Sequence, residues 1–347
     1  MRVALCLYGQ PRFYNSKSFE TLKTHVIDRW NADVFFHTWW DPSEVGTYYE
    51  AAPWSRIPRE DLYVEDGVVD ELVGMYKPVA WLAEKQREFK DDDYTGNCSD
   101  ANYHPSNIVS MFYTWKESGR LKREHEKKEG FKYDWVIRAR FDTFIESALP
   151  DMETFEKGAC YVPDTCSVCT LVHDSFSVSD SRVHDLQCET FDHLKEFFIR
   201  GIMMSHERMF MFQMKENGVE IVKRKDILQG FIRGDTIAMV WPRYISVEYD
   251  NEKHLLSKLK RLPNNKDLLK RIMNMYIRRG NHVLATVFGM YAFEIDPCRE
   301  VAEKLSISAY YAGRYRIGEE AARKALSFEP GNQQLKHNLG FYTSRGN

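Results

Sequence analysis

Residues 2–38, RVALCLYGQPRFYNSKSFETLKTHVIDRWNADVFFHT, hold the pattern that decides the fold. The opening run RVALCLY is apolar and is closed by Gly9, Gln10 and Pro11, the pattern of a buried strand feeding a loop. Between Ser16 and Trp30 the apolar residues Phe19, Leu22, Val26, Ile27 and Trp30 recur at helical spacing, and ADVFFHT then predicts a second strand. Strand, helix and strand in succession predict a parallel pair, because parallel neighbours need a crossover between them. In sheets of this kind ligands gather at the carboxyl ends of the strands. Gly9, Gln10 and Arg12 fall at the first such end, and His37, Trp39 and Asp41 at the second.

Working outward, residues 42–61 mix Pro, Gly, Tyr and charges without a period and predict an irregular loop, and 66–75 predict a short helix. Residues 91–105, DDDYTGNCSDANYHP, have loop chemistry, and 108–128 predict a helix with Val109, Met111, Phe112, Trp115 and Leu121 on its apolar side. A strand is expected over 133–145, and further strands over 159–162, 171–178 and 218–223. From Pro263 onward the pattern turns helical and repetitive, with helices expected over 264–280, 282–295, 299–312 and 315–328. Pro263, Pro297 and Pro330 stand 34 and 33 residues apart, and Gly280 and Gly313 stand 33 apart, as stacked helical hairpins require. The last unit, YYAGRYRIGEEAARKALSFEPGN, resembles a tetratricopeptide repeat, in which small Gly313 and Ala321 let helices approach and Pro330 stops the second one.

The whole chain has 347 residues, 43% hydrophobic and 29% charged, with net charge −3, which suits an ordered globular protein and gives no positive field to hold a nucleic-acid backbone. Nucleic acid is therefore not an expected partner. Charge is unevenly shared: residues 1–250 are net −11 and 251–347 net +8, which places a boundary near 250. The longest apolar stretch, 283–293, is shorter than the roughly 18 residues a membrane span needs, so no transmembrane segment is expected. The opening is too short for a secretory signal, and seven scattered cysteines fit reduced thiols, so a cytoplasmic protein is expected.

The chemistry concentrates in residues 134–142. Side chains alternate along a strand, so Arg138, Arg140 and Asp142 share one face while Trp135, Ile137, Ala139 and Phe141 share the other. Two guanidinium forks suit the oxygens of a diphosphate, and a carboxylate beyond them can hold a hard divalent cation bridging the same phosphates. The same pattern also fits a structural Arg–Asp pair.

The order of signals resembles glycosyltransferases of the GT-A type, in particular bacterial and viral relatives. The resemblance is carried by VALCLYGQPRF (3–13), ADVFFHTWWD (32–41), YKPVAWLAEKQREF (76–89), SNIVSMFYTWKESGRLK (106–122), YDWVIRARFDTFI (133–145) and VHDSFSVSDSRVHDL (172–186), and it covers about residues 1–235. It implies a Rossmann-like α/β domain with a mostly parallel sheet over 1–245, and the proline and glycine spacing predicts a small all-α helical-repeat domain after it, over 246–347. It also implies a nucleoside-diphosphate sugar as donor, a glycan or other polymer as acceptor, and Mn²⁺ or Mg²⁺ on an Asp-x-Asp element. The matching place reads Arg140-Phe141-Asp142, with one carboxylate where two are usual, so Asp142 is the expected metal ligand and Arg138 or Arg140 the other source of positive charge on the departing diphosphate. Gly9, Gln10, Arg12 and His37 are expected to line the nucleotide site. Asp174, in His173-Asp174-Ser175, is the first candidate for the base that deprotonates the acceptor hydroxyl, and Glu207, in SHERMF, the second.

Cys166 and Cys169, with Cys160, Cys188, His173 and His184 nearby, invite a zinc reading, but no second close pair completes the spacing. No phosphate loop with lysine, zinc-protease helix or Gly-x-Ser-x-Gly elbow is present, which argues against kinase, metalloprotease and esterase chemistry. The resemblance, together with the Arg138, Arg140 and Asp142 pattern, implies a glycosyltransferase. The rival is a non-catalytic binding or scaffold protein whose helical repeats recruit a protein partner, and a further alternative is another nucleotide-dependent group transferase.

Overall fold

In a computed structural model the described residues are 1–12, 14, 17–49, 62–89, 94, 104–164, 172–232, 237–241, 245–248 and 252–345. They form two compact units, Met1–Tyr249 and Asp250–Asn347. The predicted loop over 91–105 and the Cys166/Cys169 pair lie almost wholly or wholly outside the described residues, as does the second half of the 42–61 loop.

The first unit begins as the apolar pattern predicts. Strand β1 (Val3–Gly9) leads into α1 (Lys17–Leu22), a π-helical turn (Lys23–Ile27) and α2 (Asp28–Trp30), and the chain returns as β2 (Asp33–Trp39). Helix α3 (Val68–Tyr76) carries it to β3 (Ala80–Glu84), and α4 (Pro105–Glu129) to β4 (Trp135–Arg140). Pro105 sits at the first turn of α4, where its missing N–H costs nothing, and Gly130 ends the helix at φ +73°. Next come β5 (Thr143–Ile145), β6 (Cys160–Pro163) and β7 (Phe176–Ser179). Three helices follow, α5 (Ser181–Cys188), α6 (Thr190–Ile199) and α7 (His206–Glu216), then β8 (Ile221–Arg224), β9 (Gln229–Ile232), β10 (Ile237–Trp241) and β11 (Ile245–Glu248).

The described strands form a seven-stranded sheet in the order β3-β2-β1-β4-β7-β6-β8 and a four-stranded sheet in the order β11-β10-β9-β5. In the larger sheet β1, β2, β3 and β4 pair in parallel and β6 pairs in parallel with β8. Strand β7 alone runs against its neighbours. Alternation sorts the side chains of β1: Val3, Leu5 and Leu7 enter one core with Leu22, Val26 and Leu72, while Tyr8 enters another with Phe112, Trp115 and Phe210. The connections into β2 and β3 therefore cover one face, and α4 covers the other. That reversal makes the carboxyl ends of β1 and β4 the topological switch point.

One expected strand is two. Residues 133–145 divide at Phe141 and Asp142, where β4 leaves the large sheet and β5 joins the second one against β9. Thr143 Oγ1 accepts the Arg140 N–H (3.1 Å), the Asp142 carbonyl accepts the Ile232 N–H (3.0 Å), and Phe141 is fully buried. Asp142 is thus pinned at a junction of two sheets.

The second unit consists of α8 (Glu252–Arg261), α9 (Lys266–Arg278), α10 (His282–Ile295), α11 (Arg299–Tyr311), α12 (Tyr315–Phe328) and α13 (Gln333–Arg345), each packed on the next. Gly280 and Gly313 take φ +69° and +68° in the turns. The close approach comes from other glycines. No atom stands within 4 Å of a Cβ built on Gly313, whereas one built on Gly318 would run into the Tyr342 ring, and one on Gly289 would meet Met273 Sδ at 3.0 Å. Gly313 is a turn residue, and Gly318 with buried Ala321 lets the helices close. No described helix is long and apolar enough to cross a membrane.

Candidate active site

Four segments bring chemistry to the switch point. The first is the end of β1, where Gly9 turns the chain at φ +97° and its carbonyl accepts from Thr38 Oγ1 (3.0 Å). The turn closes with the Arg12 N–H donating to the Gln10 carbonyl (2.8 Å), and the Gln10 side-chain amide donates to Gln86 beyond β3 (3.1 Å).

The second is β4. Arg138 and Arg140 emerge on one face, as alternation requires, but they do different things. The Arg138 side chain is fully buried, its guanidinium carbon 3.3 Å from the Trp115 ring centroid and 5.4 Å from that of Phe210. Nε donates to Gln187 Oε1 (3.0 Å), Nη1 to the Asp174 carbonyl (2.6 Å), and Nη2 has no hydrogen-bond partner among the described residues. Burial lowers its pKa, and its charge reaches Tyr8 and Asp174. The expectation that Arg138 meets a diphosphate is corrected. With no exposed surface it can position Asp174 and supply field, but not touch a ligand. Arg140, one pleat nearer the rim, keeps 23% of its side-chain surface. Its Nε and Nη2 grip both oxygens of Asp142 (2.9 and 2.7 Å), and its face lies 4.7 Å from the Phe231 centroid.

The third segment enters β7. Tyr8 Oη donates to the Ser175 carbonyl (3.3 Å), and the His173 ring stacks on Phe231 with centroids 5.7 Å apart. Asp174 between them keeps 22% of its side-chain surface. Burial raises its pKa, against the pull of the Arg138 and Arg140 charges. The fourth is the first turn of α7, where Ser205 Oγ accepts the Arg208 N–H (3.2 Å) as an N-cap and brings His206 and Glu207 to the site. His206 Nδ1 lies 3.9 Å from Asp174 Oδ2. Burial raises Glu207, and the neighbouring Asp174 charge adds to it. Burial also drops His206 to about 4 and His173 to about 3, so both are neutral at ordinary pH. Two desolvated carboxyls therefore stand together beside a guanidinium fork that keeps exposed surface.

His37 does not join them. It is fully buried among Trp39 (ring centroids 4.7 Å) and Tyr113 (5.7 Å), with Nε2 3.1 Å from Glu84 Oε1. Tyr113 Oη and Arg87 also donate to Glu84 (2.7 and 3.0 Å), and with the His37 contact these bonds lower Glu84 to about 2. The expected nucleotide contact from His37 is replaced by a packed hydrogen-bond cluster. Trp39, stacked at 11° on Tyr113, belongs to the same core, and Asp41 caps a short turn through the Ser43 N–H (2.8 Å).

The expected metal ligand is spoken for. Both Asp142 oxygens accept from Arg140, Asp142 itself is 2% exposed, and among the described residues no three His, Cys, Asp or Glu side chains gather to hold an ion. This donor set does not fit a resident divalent cation. Cys160 and Cys188 are buried thiols pushed up to about 12, the first accepting from Gln187 Nε2 (3.4 Å) and the second packed on His184 and against Gly119.

Tyr8, His206 and Gln187 are the site residues that the sequence reading missed. Tyr8 and His206 have a signal in hindsight, the end of a strand and an N-capped first turn. Gln187, whose Oε1 also accepts from Ser177 Oγ (2.8 Å), has none.

Residues 108–228 match a family model described as a domain of unknown function (DUF7796). No curated protein matches the chain. Among solved structures, one titled MamA MSR-1 C2 is 16% identical at a TM-score of 0.26, covering 27% of this chain and 55% of its own. The Sgt2 TPR domain from Aspergillus fumigatus is 19% identical at a TM-score of 0.24, covering 27% of this chain and 65% of its own. Likenesses of this size add nothing to what the helices of the second unit show by themselves.

Proposed function

We propose that the first unit is a nucleotide-sugar-dependent glycosyltransferase. The support is one arrangement: two carboxyls raised by burial, Asp174 and Glu207, beside the Arg140 fork at the switch point of a mostly parallel sheet. The donor diphosphate lies against the ends of β1 and β4, with Gly9 allowing close backbone approach and Arg140 meeting the phosphate oxygens through Nη1, since Nε and Nη2 hold Asp142. The acceptor hydroxyl attacks the anomeric carbon. The bond from that carbon to the diphosphate oxygen breaks, its electron pair leaves with the diphosphate, and the hydroxyl proton passes to Asp174. The Arg138 and Arg140 charges favour ionised Asp174, and the Asp174 charge favours the protonated form of Glu207. A base whose pKa is raised toward the working pH is well matched to taking a hydroxyl proton. Positive charge fixed in place by the fold meets the leaving group without reorganisation.

The test is release of nucleoside diphosphate from a panel of nucleotide-sugars with simple alcohols and sugars as acceptors. Asp174→Asn lowers turnover by about 10²-fold or more on this reading, whereas turnover equal to that of the unsubstituted chain removes Asp174 as the base. A partner-binding role for the helical repeats has its own support: Val283, Val287, Met290 and Tyr291 form an exposed apolar stripe on α10.

A further inference from the structure

Beside α7 lies a groove of about 990 Å³. It is lined by Val172, two residues before Asp174, and by Arg208, the residue after Glu207, so two of the segments that carry the carboxyl pair also border the groove. One face of α7 supplies Arg208, Met211, Phe212 and Lys215 at the i, i+3, i+4, i+7 spacing, and β8 faces them with Ile221 and Lys223. The floor is apolar and none of the lining side chains is Asn, Gln, Ser, Thr, Tyr or Trp. A neutral glycan would find one aromatic ring and almost none of the directional polar groups that hold sugar hydroxyls. The rim carries three cations against the single acid Glu220, and the Arg208 and Lys215 side chains make no hydrogen bond or ion pair with the described residues.

We propose that this groove binds an amphiphilic anion, an apolar chain bearing a phosphate, and that the acceptor is carried as a hydroxyl-bearing group attached to that phosphate. The hydroxyl to be glycosylated sits at Asp174 and Glu207, the phosphate against Arg208, and the apolar chain along Met211, Phe212 and Ile221. The role as acceptor site rests on the transferase reading above; the chemistry of the ligand does not.

The experiment is calorimetric titration of the intact chain with decyl phosphate below its micelle concentration, and with decanol, inorganic phosphate and maltotriose. Decyl phosphate binds saturably at one site, with decanol and phosphate each at least tenfold weaker. The double reversal Arg208→Glu/Lys215→Glu, on two exposed positions, weakens decyl phosphate at least tenfold and leaves decanol unchanged, and Met211→Asp weakens both. Absence of saturable decyl phosphate binding, indifference to the double reversal, or maltotriose binding that Phe212→Ala removes would each overturn the proposal. Decyl phosphate binding in a chain that binds no nucleotide-sugar keeps the groove and removes the transferase reading, and the converse result removes the groove alone.

Discussion

At the scale of single residues, the carboxyl pair has a stability signature. Asp174 and Glu207 have folded-state pKa values raised above their ordinary ones. Between the ordinary and the raised value the native state holds more protons than the unfolded state, so stability falls as pH rises through that window and the penalty is complete above it. Glu207→Gln, which cannot ionise, therefore raises the melting temperature at pH 7 to 8, and the gain shrinks toward nothing as pH falls to the ordinary carboxylate range near 4.5. Melting curves across pH check this, and a gain that does not change with pH contradicts it. The two arginines separate in the same way. Arg138→Gln takes the donors from Gln187 Oε1 and the Asp174 carbonyl and costs about 1–3 kcal/mol in chemical denaturation. Arg140→Gln takes the Nε and Nη2 bonds from the buried Asp142 carboxylate, so it also destabilises. Adding Asp142→Asn recovers most of that stability without recovering donor affinity, a coupling that a double-mutant cycle reads directly. The alternation of Arg138 and Arg140 was legible in the sequence because a strand has period two, whereas Asp142 lies past the end of β4 and stands beside Arg140 through their ion pair. That Arg138 is sealed in was not, because its lid of Trp115, Gln187 and Phe210 comes from three distant segments.

At the scale of elements, periodic segments were legible and short irregular ones were not. Helices α10 and α12 have the predicted bounds, since an apolar face repeating at helical spacing and closed by Gly and Pro admits one solution. Strand β3 and strands β9 to β11 were not predicted as strands, being four or five residues long with no flanking period of their own. The two-sheet junction at Asp142 was hidden inside a continuous apolar run, because nothing local says that β5 pairs with β9. The glycine assignments give an element-level prediction. Gly318→Ala places a methyl against the Tyr342 ring and costs about 1–3 kcal/mol. Gly331→Ala, which meets open space, changes stability by no more than about 0.5 kcal/mol. Equal melting temperatures for the two variants would remove the close-approach role of Gly318.

At the scale of the whole molecule, the shift in charge near residue 250 and the onset of helical repeats anticipated two compact units, and these are Met1–Tyr249 and Asp250–Asn347. The mostly parallel sheet followed from one strand–helix–strand unit at the start, because a crossover of fixed hand leaves little freedom in what comes next. The meeting of β1, β4, the approach to β7 and the first turn of α7 could be expected only as candidates, since residues 9, 140, 174 and 207 are joined by topology and by no local pattern. The proposed transfer requires those groups to receive a nucleotide-sugar. Calorimetric titration of the intact chain with a panel of nucleotide-sugars, with and without Mn²⁺, tests it most directly. The expected result is saturable binding of at least one donor, weakened at least tenfold by Arg140→Gln and retained by Asp174→Asn. Binding of no donor, or binding indifferent to Arg140→Gln, would contradict it.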